Sequence, residues 1–313
     1  MSNYKSNVIL HIGLYKTGST FIQSHLRSVK LDDYNIFLHD SEIIELLDKY
    51  LKNPNTKIKQ KILNITQNEN SKKILILSEG IFGHQFYHFK DCSIRFQLLE
   101  ELFNQPRYII FFREPSSIIY SGYFQGLQKS YSLKFENYIN ENKNDLFNRN
   151  FYNYFTKGLD YKIYNYNNIF KDYLNIQNRV LFVEYEKFFK EKNGDFLNKF
   201  TGLNIPFNFE KKINQSLKNL IYCEFFSKFF FFKYIKIIWL QLNKLFFKYK
   251  KARDVSLRLI VLINFLIKIT PKKYIKEIDD KHKRLLEEIK SYHSDDYKEF
   301  KKKLNSTLHI SSN

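Results

Sequence analysis

The run Gly13-Leu14-Tyr15-Lys16-Thr17-Gly18-Ser19-Thr20 gathers two glycines, a lysine and three hydroxyls into eight residues. It follows the apolar stretch Val8–Ile12. It precedes a segment, Ser19 to about Val29, whose Phe21, Ile22 and Leu26 share one helical face. A loop that enters a helix aims N–H groups at one point, and the helix dipole adds positive potential there. Glycines let the backbone approach an anion, and hydroxyls of Thr17, Ser19 and Thr20 supply further donors. The chemistry this suits is the holding of a phosphate. The plain alternative is an ordinary strand-to-helix turn. The nucleoside-triphosphate loop reads G-x-x-x-x-G-K-[ST]. Gly13 and Gly18 keep its glycine spacing, but Lys16 precedes Gly18 and Ser19 stands in the lysine position. The lysine therefore reaches the anion from a different place, which argues against an ordinary kinase or ATPase.

A second candidate is Arg113, followed eight residues later by Ser121 in Arg113-Glu114-Pro115-Ser116-Ser117-Ile118-Ile119-Tyr120-Ser121. Arg113 ends a strand and Pro115 suits the first turn of a helix. Such a helix turns Ser121 back towards the strand end, and arginine offers a planar fork that matches phosphate. Taken alone, an arginine in such a place is more often a surface or ion-pairing residue.

These groups need a scaffold. Val8–Ile12, Lys73–Leu77, Arg107–Phe112 and Val180–Val183 are short apolar runs that read as buried strands. Ser41–Leu51, Lys57–Thr66 and Ser93–Phe103 read as helices between them, and Ser132 as the cap of a helix across Leu133–Ile139. Strands alternating with helices imply a central, mainly parallel sheet in a three-layer, P-loop-like α/β fold. Beyond about residue 211 the character changes. Phe225–Lys251 and Val255–Ile269 are apolar and basic helical stretches, Pro271 ends the second, and Asp279–Leu304 is a charged helical tail. The expected organisation is a core over 1–210 and a helical, basic extension over 211–313.

With these motifs in order, the chain resembles the sulfotransferases that use 3′-phosphoadenosine-5′-phosphosulfate (PAPS), of the bacterial and glycan-modifying type. Strand, G-x-x-K-T-G-S-T, then helix looks like their 5′-phosphosulfate loop, and Arg113 with Ser121 looks like their 3′-phosphate pair. Leu159-Asp160-Tyr161, Leu181-Phe182-Val183-Glu184-Tyr185-Glu186 and Phe196 through Leu203 are similar to later family elements, so the likeness spans about residues 8–205. It implies that Gly13, Thr17, Gly18, Ser19 and Thr20 hold the 5′-phosphate. It places Lys16 beside the oxygen bridging phosphate and sulfate, Arg113 and Ser121 on the 3′-phosphate, and Tyr185 against the adenosine. No metal is expected.

Sulfuryl transfer also needs a group to take the acceptor's proton. Glu79, in Leu77-Ser78-Glu79-Gly80, follows a strand end, where α/β sheets gather ligands. The segment looks like the one that carries the glutamate base of glycan-modifying relatives. Its plain alternative is a carboxylate that pairs with Lys16 or caps a helix. His84 and His88, in the next segment, read as candidates for acceptor contact or base, although histidines so placed are more often surface or loop residues. His11, inside the first strand, reads as a core histidine.

The formal net charge is +19; residues 211–313 carry 24 Lys and Arg against 10 Asp and Glu. A basic surface favours anionic partners without choosing among them. A carbohydrate or glycolipid acceptor, and peripheral contact with anionic membrane, fit the apolar and basic helices. Packing of those helices on the fold fits as well. The two cysteines, Cys92 and Cys223, are far apart, and no signal peptide or spanning segment is read, so a cytoplasmic enzyme is expected. Two alternatives remain. A P-loop nucleotide kinase would need magnesium-binding acids after strands, where only Glu79, Glu114 and Glu184 stand. A basic membrane-surface or nucleic-acid-binding protein would explain the charge but not two phosphate motifs, and no nucleic-acid partner is expected.

Overall fold

The computed structural model describes residues 7–27, 34–38, 41–67, 73–78, 81–82, 89, 91–128, 135–140, 160–209 and 272–308. Five strands form one sheet in the order β2-β3-β1-β4-β5: β1 Val8–Gly13, β2 Tyr34–Phe37, β3 Lys73–Leu77, β4 Arg107–Phe112 and β5 Val180–Glu184. Every pairing is parallel. The interior strands are continuous apolar runs because both their faces are covered.

Along the chain, α1 (Ser19–Leu26) follows β1, and α2 (Glu42–Lys52) and α3 (Thr56–Gln67) follow β2. Next come α4 (Cys92–Phe103), α5 (Pro115–Gln128) and α6 (Phe135–Asn140), then the short α7 (Tyr166–Ile169) and α8 (Lys171–Leu174). After β5 stand α9 (Tyr185–Glu191) and α10 (Asp195–Thr201), and the helix over Lys272–Leu308 is labelled α11. On one face of the sheet, Ile9, Leu75, Ile109, Phe111 and Val183 pack with Phe21 and Ile22 of α1, Phe188 of α9 and Leu197 of α10. On the other face, Tyr108 meets Phe96 of α4 and Tyr173 of α8, while Phe112 and Phe182 meet Phe300 of α11. The fold is thus the three-layer α/β architecture expected, with a parallel sheet between helical layers and a C-terminal helix.

The strand order reverses at β1. The chain leaves β1 towards β2 on one side, and leaves β4 towards β5 on the other. At such a reversal sheets of this class gather ligands past the C-terminal ends of the strands, here β1 and β4.

Two compact units divide the chain: Met1–Ile118 with Lys162–Ile213 and Tyr292–Asn313, and Ile119–Tyr161 with Asn214–Ser291. The first holds the sheet. In the second, Tyr120, Tyr123, Phe124 and Phe135 surround His282, whose Nδ1 lies 3.2 Å from the Tyr120 hydroxyl. Lys281 pairs with Glu136 in the same unit. Among the described residues no helix is long and apolar enough to cross a membrane. The basic stretches Phe225–Lys251 and Val255–Ile269 lie outside the described residues.

Candidate functional site

The loop after β1 is shaped by its own backbone. Leu14 N–H donates to the Phe111 carbonyl at 2.6 Å, which ties the loop to β4. The Thr17 hydroxyl donates to the Leu14 carbonyl at 2.5 Å, and Thr17 is wholly buried. Its hydroxyl proton thus closes the loop, leaving its backbone N–H as the donor it can turn to a ligand. Lys16 has φ 64°, in the left-handed region that non-glycine residues visit rarely. Its ammonium lies 5.4 Å from the centre of the Tyr15 ring.

Gly18, with φ 90°, caps α1, and its carbonyl accepts from Phe21 N–H at 2.9 Å. No side-chain hydrogen bond caps this helix, and its first turn carries no acid. Ser19 is buried and Thr20 exposed. Glycine is required at position 18 on two counts. The φ is positive, and a Cβ there would come within 3.2 Å of ring carbons of Tyr185 and Phe189.

That contact links the loop to the second candidate. Arg113 follows the last residue of β4, and its guanidinium carbon lies 4.5 Å from the centre of the same Tyr185 ring. The Arg113 Nε donates to Glu186 Oε1 at 2.7 Å. The Tyr166 hydroxyl donates to the Arg113 carbonyl. Burial pushes the Tyr166 phenol well above its ordinary pKa, so its proton stays in place for that bond. Lys16, Thr17, Gly18, Tyr185 and Arg113 therefore belong to one neighbourhood of the first unit. Ser121 lies on α5, half-buried, in the second unit. Glu79, His84 and His88 lie outside the described residues.

The other acids that follow strands are engaged. The Glu114 carboxylate accepts from the backbone N–H of Ser116 and Ser117 at 3.1 Å each, as the cap of α5. Glu184 accepts from Lys301 at 2.7 Å and from the Tyr297 hydroxyl at 3.2 Å. Among the described residues no group of three or more His, Cys, Asp or Glu is arranged to hold a metal ion. His11 is the core histidine expected. It is buried against Phe111, neither ring nitrogen has a partner, and burial lowers its pKa to about 4.

Three residues around Arg113 escaped the sequence reading: Glu186, Tyr166 and Asp296. Asp296 of α11 accepts from Tyr166 N–H at 2.6 Å and holds the start of α7. Glu186 stood in plain sight beside Tyr185, and a carboxylate one residue past a suspected ligand contact was the available signal. Tyr166 and Asp296 gave no local signal.

No protein-family model matches the chain, and no curated protein matches it. Among solved structures, the crystal structure of a sulfotransferase from Alicyclobacillus acidocaldarius is similar at a TM-score of 0.45, with 14% sequence identity over 70% of this chain and 91% of that one.

Proposed function

We propose that the protein transfers a sulfuryl group from PAPS to a hydroxyl or amine of an acceptor, a carbohydrate or glycolipid. The observation that carries this reading is the meeting of the Gly18 loop and the Arg113 guanidinium at one ring, Tyr185. Two anion-seeking groups close to one aromatic ring suit a nucleotide with phosphates at both ends of its ribose. In this reading the backbone N–H groups of Thr17 to Thr20 hold the 5′-phosphate and Arg113 the 3′-phosphate. Ser121 joins Arg113 on the strength of the eight-residue spacing.

The S–O bond to the 5′-phosphate breaks as a bond from sulfur to the acceptor forms. Negative charge grows on the phosphate oxygen, where Lys16 supplies a positive charge. A preorganised donor of that kind is worth about 2.7–4 kcal/mol. The acceptor's proton goes to a base, for which Glu79 is the candidate, and His84 and His88 are candidates for acceptor contact. The engagement of Glu114 and Glu184 in capping and ion pairing tells against the kinase alternative, because it leaves them poorly placed to hold magnesium.

The test is calorimetric binding of adenosine 3′,5′-bisphosphate beside ADP and ATP, without magnesium. The bisphosphate is expected to bind at least tenfold tighter than ADP, about 1.4 kcal/mol from the 3′-phosphate. Equal binding of all three, or ATP binding that needs magnesium, overturns the reading in favour of a kinase.

A further inference from the structure

Glu186 divides its two oxygens between different tasks. Oε1 holds Arg113 Nε at 2.7 Å. Oε2 is shut off from solvent and has no hydrogen-bond partner, although the side chain as a whole keeps 43% of its exposure. A buried carboxylate oxygen without a partner is costly, and native structures seldom leave one without a reason. An ionised carboxylate only accepts, so the missing partner must bring an O–H or N–H. A bare phosphate or sulfate oxygen cannot serve, since it would repel.

Arg113 beside it is also half used. Its Nε edge is taken, while its two terminal nitrogens donate to no protein group among the described residues. The pair thus combines an N–H edge that wants an anion with a carboxylate oxygen that wants a hydroxyl. A ligand that satisfies both carries a phosphate and a free hydroxyl on adjacent carbons. A ribose phosphorylated at C3′ and free at C2′ has that arrangement.

We infer that Glu186 recognises the donor's ribose, with Oε2 accepting a hydrogen bond from the 2′-hydroxyl while Arg113 holds the neighbouring 3′-phosphate. The inference rests on the donor reading above. It makes Glu186 a specificity-determining residue that selects ribonucleotide over deoxyribonucleotide. It also gives Glu186 a reason to sit beside a phosphate site, where a carboxylate facing the phosphate directly would weaken binding.

The experiment is calorimetry of adenosine 3′,5′-bisphosphate and its 2′-deoxy analogue on the wild-type chain and on Glu186→Ala, with thermal unfolding of both proteins. The wild type is expected to prefer the ribo form by about tenfold, and Glu186→Ala to bind the two within about twofold. If Glu186→Ala does not fold, Glu186→Gln replaces it, and the preference is expected to fall at least about threefold. A wild type that binds both analogues equally, or a preference that survives either substitution, overturns the inference while leaving the donor reading intact. A wild type that binds neither analogue overturns both.

Discussion

The Gly13–Thr20 loop and the surroundings of Arg113 are built by different means. The loop is a run of consecutive residues shaped by a bond inside itself, Thr17 to Leu14, a left-handed turn at Gly18 and one backbone tie to the adjoining strand β4, Leu14 to Phe111. Arg113 is held by groups drawn from across the chain. Tyr166 fixes its carbonyl, Asp296 fixes Tyr166, and Glu184 binds Lys301 one turn further along α11. Phe300 fills the space between them, in ring contact with Phe112, Tyr166, Phe170 and Phe182. The difference teaches that the loop can fail alone, whereas the Arg113 side fails when the docking of α11 fails.

Phe300→Ala breaks the second region and should have the largest effect. Phe300 is fully buried, and removing such a ring from a packed core costs about 3–5 kcal/mol. A lowered unfolding midpoint in denaturant is expected. In variant protein that is still folded, the preference for adenosine 3′,5′-bisphosphate over ADP should shrink while ADP affinity holds. An unchanged preference would mean that Arg113 is positioned without α11, and the contrast between the regions would fall.

The strand beneath the loop should respond to acid. His11 has an ordinary pKa of 6.5 when unfolded and about 4 when folded, because burial disfavours its charged form. Between those values the unfolded chain binds the extra proton and the folded chain does not. Stability from this source is therefore complete above pH 6.5 and is lost as pH falls towards 4. The total is about 3 kcal/mol, with about 2 kcal/mol gone by pH 5. His11→Leu should reduce the loss between pH 7 and pH 5 by about 2 kcal/mol, read from denaturant unfolding at both values. Parallel losses in wild type and variant would show that His11 gains a proton in the folded state as easily as out of it.

The same contrast explains what was legible in the sequence. The bounds of β3 and β4 could be read to the residue, because each is an apolar run bracketed by polar residues. The loop was legible because its donors are contiguous. β2 was not: Tyr34-Asn-Ile-Phe37 is a short edge strand with one buried residue, and it is defined by its pairing with Lys73–Ile76. The helix over Tyr185–Glu191 was read only as a Tyr-Glu element after a strand, since seven residues show little periodicity. α11 begins at Lys272, earlier than the expected Asp279, so that it takes in the residues between Pro271 and Asp279, among them the buried Ile278. The partners of Arg113 stayed hidden because they are contacts between distant segments, which no local pattern encodes.

Gly18→Ala tests whether the loop can fail alone. A left-handed backbone costs an L-residue about 1–2 kcal/mol, and the new methyl group would press on Tyr185 and Phe189 at 3.2 Å. A contact of 3.2 Å asks the two rings to move by only a few tenths of an ångström. The stability loss should thus stay near 1–2 kcal/mol, below that of Phe300→Ala. Binding should suffer more than stability, because the shift moves the N–H groups of the first turn of α1 off the point where they converge. Affinity for the bisphosphate and for ADP should fall together, by about tenfold or more, since both carry the 5′-phosphate. A fall confined to the bisphosphate would instead mean that Gly18 acts through Tyr185 on Arg113, and that the two regions respond as one.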